Sequence, residues 1–132
     1  MHGAIKLFTV IALFSLPTVM YGGYSLLRLL TARKLSEFQV AYFRAGHAHA
    51  GVLLVLSLVV LDIVGRAGLG STTAWIIALL LLVGVLAQSG GMFVHMAVGK
   101  PGTWSMGNTL TTVGAVLLAA ALVTTAVGVI AA

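Results

Sequence analysis

Four long apolar runs, separated by short polar stretches, account for most of this chain: Leu7–Leu30, Phe43–Gly65, Thr72–Val98 and Gly107–Ala132. A helix needs about 20 apolar residues to cross the hydrocarbon core of a bilayer, and each run reaches that length. A helix satisfies every backbone donor and acceptor within itself, which is why such runs become helices once water is absent. The expected fold is therefore all-α: one transmembrane domain over residues 1–132, a four-helix bundle running up-down-up-down, with spans at about 7–30, 43–65, 72–98 and 107–132. Composition agrees. Only 7% of the residues are charged and 61% are hydrophobic, whereas soluble chains carry about 25% charge. A chain of 132 residues is too short to hide that much apolar surface inside itself, so lipid or partner subunits must cover the rest.

The first run holds Pro17 near its middle and Gly22-Gly23 beyond it; a kink is expected, and membrane helices tolerate both residue types. A cleaved signal peptide is the competing reading of this segment, but the run is too long and no small-x-small cleavage site follows. Thr31–Tyr42 reads as a polar loop. Arg66–Ser71 is a short Gly-rich turn that makes spans two and three antiparallel neighbours, and Gly99–Met106 is a second polar turn. Basic residues set the orientation. Arg28, Arg33, Lys34, Arg44 and Lys100 flank one face, and only Lys6 and Arg66 flank the other. The positive-inside rule places the richer face in the cytoplasm, so loops 31–42 and 99–106 are expected to be cytoplasmic and both termini outside, in what reads as a bacterial cytoplasmic membrane. Tyr42, Phe43 and Trp104 fit an interfacial aromatic belt on that inner face, and Trp75 on the outer. The formal net charge of +5 thus reads as topology and contact with anionic lipid, with no nucleic acid as partner. The chain has no cysteine, which excludes disulfides, thiolate metal sites and covalently attached haem.

Ionisable groups inside a membrane are costly and default to functional hypotheses. The spans hold His47 and His49 near the start of span two and His95 near the end of span three. Span two leaves the inner face and span three returns to it, so all three imidazoles share a leaflet. Residues two apart on a helix differ by about 200°. His47 and His49 therefore point to nearly opposite sides and cannot chelate one ion while the helix stays regular. On span three, Ile77, Leu81, Gly84, Gln88, Gly91 and His95 recur at helical spacing and form one face. Its inner part is small and polar, and glycines there admit a close neighbour, either another helix or a flat ligand. Asn108 and Thr111 of span four begin at the same depth. His47 or His49, Gln88, His95 and Asn108 are thus expected to surround one pocket.

Two imidazoles facing each other with no cysteine is the ligand set of noncovalent b-type haem. In this reading His95 and either His49 or His47 are axial ligands, with His49 preferred for its depth. Gly84 and Gly91 make room for the porphyrin, and Arg44 meets a propionate, with Lys100 and Arg28 as further cations. The segment Gly46-His47-Ala48-His49-Ala50-Gly51-Val52-Leu53 resembles the His-x-His element in the catalytic subunits of haem-copper oxidases and nitric oxide reductases. It is also similar to small four-helix membrane proteins with a His-x-His near a helix start. The resemblance covers about ten residues and implies that His47 and His49 each ligate a haem, on opposite faces of the helix. His95 is the sole further membrane histidine, so a complete haem-copper centre does not fit in one chain; at most one six-coordinate haem does, with a second five-coordinate or shared across a subunit boundary.

The role expected is electron transfer or chemistry on a small gas or quinone, an oxidoreductase if the chain is an enzyme. A second metal reading puts Zn or Cu on His47, His49, His95 and Glu37, which requires a broken helix start at Gly46. His2 with the terminal amine is a weaker metal candidate. Met92 and Met96 flank His95 and read as packing; Asp62 and Arg66 read as an interfacial ion pair. A proton-coupled transporter lacks its intramembrane carboxylate, and a hydrolase lacks a nucleophile set at one depth. The remaining alternative is a non-catalytic accessory subunit or homo-oligomer, for which the Gly/Ala/Thr-rich fourth span supplies packing surface.

Overall fold

The computed structural model describes residues 3–132; His2 lies outside the described residues. It contains four α-helices: α1 (Gly3–Thr31), α2 (Glu37–Arg66), α3 (Ser71–Val98) and α4 (Met106–Ala131). They are 26 to 30 residues long, about 39–45 Å at the α-helical rise. All four are long and apolar enough to cross a membrane. The second helix begins at Glu37, inside the stretch read as a loop. Ser36 starts it with a reciprocal cap: its side chain accepts from the Gln39 N–H, while the Gln39 side-chain oxygen accepts from the Ser36 N–H at 3.0 Å. That cap satisfies donors a helix start otherwise leaves open. Phe38 and Tyr42 are thereby carried on α2 itself.

Neighbouring helices run antiparallel. Gly65 of α2 faces Ile5 of α1, and His47 faces Gly22 and Gly23. Gly46 faces Met92 and Phe93 of α3, while Gly91 faces Gly107 and Thr111 of α4. The helix α3 is central and touches all three others; α1 and α4 do not touch. The bundle is thus open: α1 leans on α2 and α3, and α4 lies along α3. Its best-packed part joins the first two turns of α1 to the α2–α3 turn. There Ala4, Val64, Ala74, Ile77 and Ala78 are fully shielded, and Phe8 meets Trp75 edge to face at 5.9 Å. Elsewhere large apolar side chains point outward. Phe14 is 77% exposed, Val116 63% and Ile130 86%, the pattern expected where the solvent is lipid. Pro17 cannot bond back to Leu13. Around it the Ser15 hydroxyl donates to the Ile11 carbonyl (2.8 Å) and the Thr18 hydroxyl to that of Ser15 (2.6 Å), and the helix continues unbroken through Thr31.

Candidate functional site

The glycine-bearing face of α3 is covered by α4. A methyl at Gly84 would fall 2.7 Å from Leu118, and one at Gly91 would fall 2.5 Å from the Gly107 carbonyl and the Thr111 backbone. On the α4 side, a methyl at Gly114 would strike the Gln88 backbone and one at Gly107 that of His95. The Thr111 hydroxyl crosses the seam and donates to the Gln88 carbonyl at 3.2 Å. Small residues here let two backbones touch, which is how membrane helices gain dispersion contacts where burial from water is not available. The residues Gly84, Gln88, Gly91, His95 and Asn108 therefore do come together, but around a helix–helix seam.

His95 ends that seam and is only 2% exposed. Its Nδ1 is hydrogen-bonded to Ser105 Oγ at 2.7 Å. The same Oγ accepts from the Gly107 N–H at 3.1 Å, and the Ser105 N–H donates to Asn108 Oδ1 at 2.9 Å. Tyr42 and Phe38 of α2 press their rings against the imidazole, with centroids 4.4 and 5.4 Å away. His95 thus ties the end of α3 to the start of both α4 and α2. It stands level with Phe38 and Tyr42, one to two turns short of His47 and His49.

The two histidines of α2 diverge, as 200° of rotation requires. His47 lies on α1, where its ring occupies the notch left by Gly22 and Gly23; a methyl at Gly23 would fall 2.9 Å from Nε2. It takes part in none of the hydrogen bonds among the described residues. On the other side, His49 Nδ1 lies 2.8 Å from the Ala45 carbonyl. A carbonyl only accepts, so Nδ1 carries a proton, and in the neutral ring the lone pair sits on Nε2. A shallow pocket beside it is lined by Ala48, Val52 and Leu53. Arg44 is exposed on α2. The sole ion pair among the described residues is Arg66 Nε to Asp62 at 2.8 Å, both side chains exposed.

A bis-histidine haem needs two imidazole nitrogens facing across one plane. Within one chain these residues do not fit it. His95 is engaged by Ser105 and two aromatic rings, its glycine face is filled by α4, and His47 points at α1. Among the described residues, no three His, Cys, Asp or Glu side chains gather to hold a metal ion, and Glu37 is exposed at the start of its helix. The set His47, His49, His95 and Glu37 is therefore dispersed.

The open packing instead leaves a slot between α1, α2 and α3. It measures about 220 Å³ and is bounded by Ala12 and Val19 of α1, Leu54 and Leu61 of α2, and Ala78 and Val85 of α3. From Ala50 to Leu61 it runs about 16 Å along the helix axis, half the thickness of a hydrocarbon core. Four hydroxyls line it: Ser15, Thr18, Ser57 and Ser89. Each donates to a carbonyl of its own helix, so each turns only oxygen lone pairs toward the slot. A second cavity of about 170 Å³ shares Thr18, Val19 and Ala50 with it and reaches Gly22, Phe43, His47 and Phe93. His47 thus lines a cavity that adjoins the slot along Thr18, Val19 and Ala50. The sequence pattern concealed this slot, because a serine bonded to its own helix interrupts an apolar run without marking a site. Gly22-Gly23 was the visible trace, a place where α1 can receive a ring. No protein-family model, no curated protein and no solved structure matches the chain.

Proposed function

We propose that this chain is an integral membrane protein that holds a slender apolar molecule with a hydrogen-bonding head, of the quinone class, in the slot between α1, α2 and α3. One observation carries the reading: a long apolar slot adjoins a cavity lined by an imidazole that has no hydrogen-bond partner within the described chain. An isoprenoid or alkyl tail suits the slot's shape. A neutral imidazole donates one N–H, which suits a quinone carbonyl, and Phe43 and Phe93 supply ring contacts beside it. This reading makes the chain a quinone-holding subunit that works in a homo-oligomer or a larger membrane complex. The connections at 32–36 and 99–105 then face the cytoplasm of a bacterial cytoplasmic membrane and both termini lie outside, from the distribution of Arg28, Arg33, Lys34, Arg44 and Lys100. The test is solvent extraction of protein purified in mild detergent, followed by chromatography with ultraviolet detection. Wild type is expected to retain a quinone and His47→Ala to lose it. Wild type that retains none, and whose melting temperature does not move on adding a short-chain quinone, sinks the reading.

A second reading rests on His49. Fixing Nδ1 to a backbone carbonyl and leaving Nε2 free is how metal-ligating histidines are oriented, and Nε2 is available for a b-type haem shared between two copies of the chain. A Soret band in the purified protein, lost in His49→Ala and kept in His95→Ala, is its signature.

A further inference from the structure

We propose that the C-terminal end of α1 is a binding site for the headgroup of an anionic phospholipid, held between Arg28 and Lys34. The helix ends in a double-bonded turn. Arg33 N–H donates to the Leu30 carbonyl at 3.0 Å and Lys34 N–H to the Leu29 carbonyl at 3.2 Å. This closure requires a left-handed residue, normally glycine, and Arg33 adopts it with φ at 51°. Among the described residues, Arg33 is the one non-glycine with positive φ. The turn folds Lys34 back beside the helix it has just left. There it joins Ser25, Arg28 and Leu29, which share one face of α1, and Ala32 just past its end, around a depression of about 290 Å³. A second groove, lined by Leu27, Arg28, Thr31 and Ala32, lies on the other side of Arg28.

No carboxylate of the described chain neutralises these cations. Asp62 is paired with Arg66 at the far end of α2, and Glu37 is exposed beyond the turn. Their counter-charge has to come from outside the protein. The surface leading away from them along α1 is apolar and uncovered: Met20, Tyr24 and Leu27 are 73%, 57% and 62% exposed. Cations at the helix end beside an exposed apolar track match a phosphate with acyl chains attached, and a soluble anion has no use for the track. The geometry commits the site to phospholipid of net negative charge.

The test titrates the purified full chain, in a neutral maltoside micelle, with dioleoyl phosphatidylglycerol and separately with dioleoyl phosphatidylcholine, counting bound lipid by native mass spectrometry. Phosphatidylglycerol is expected to bind more tightly. Each cation near a phosphate is worth about fivefold in affinity, so Arg28→Gln/Lys34→Gln should weaken phosphatidylglycerol about thirtyfold. Arg66→Gln, at the other end, should change it less than twofold. Arg33→Gly separates the turn from the site. It relieves the left-handed backbone and leaves Arg28 and Lys34 in place, so the melting temperature holds or rises while affinity falls far less than in the double variant. Equal binding of phosphatidylcholine, a double variant within twofold of wild type, or full displacement by inorganic phosphate alone would each overturn the proposal, the last by showing a free-anion site.

Discussion

His95 and His49 sit on helices that touch, yet their surroundings give them opposite consequences when removed. His95 is buried, bonded to the cap of α4 and flanked by two α2 rings. His95→Ala removes that bond, leaves the Ser105 hydroxyl with one partner fewer and opens a cavity between three helices. The expected cost is about 2–3 kcal/mol. His49 bonds only to its own helix, and His49→Ala should stay within about 0.5 kcal/mol of wild type. Unfolding in mixed micelles of rising dodecyl sulfate content, followed by helical circular dichroism, compares the two. Equal costs would mean that His95 is not the tie that its contacts describe.

Among the helices, the closest approach is between α3 and α4, and glycine sets it. A methyl at Gly114 meets the backbone of Gln88, whereas one at Gly90, about half a turn from Gln88 on α3, meets nothing within 4 Å. Gly114→Ala should cost about 1–3 kcal/mol by overpacking. Gly90→Ala should be neutral or stabilising by about 0.5 kcal/mol, since alanine restricts the unfolded chain. The same micelle titration reads both. This seam also explains what was legible beforehand. Hydropathy alone located all four helices, because the bilayer demands length and apolarity and little else. Depth follows from connectivity, which puts His47, His49 and His95 toward one end of the bundle. Rotation about each helix axis did not follow. Whether the Gly84–Gly91 stripe receives a flat ligand or another helix depends on which neighbour packs there, and small residues suit both. The start of α2 was hidden differently: Thr31–Tyr42 is polar enough to read as a loop, and only the Ser36–Gln39 cap marks its second half as helix.

At the scale of the molecule, the consequential feature is that α1 and α4 do not meet. A closed bundle would spend its interior on side chains; this one keeps a slot beside α1 that α4 cannot fill. Membrane helices have little hydrophobic drive to collapse such a gap, since lipid tails wet apolar surface as well as leucine does. The slot can therefore persist empty or take up a molecule from the lipid. Ala50 borders both cavities, which makes it the position where bulk separates folding from occupancy. Ala50→Leu places apolar volume into existing space, so stability should hold or rise by about 1 kcal/mol. The same side chain occupies the boundary that the slot shares with the cavity lined by His47. Retention of a co-purifying apolar molecule should fall at least tenfold, and the melting-temperature shift on adding a short-chain quinone should vanish. If the slot were only a packing fault between α1 and its neighbours, Ala50→Leu would stabilise the protein in the same way, but the extractable contents and the response to quinone would be identical in variant and wild type.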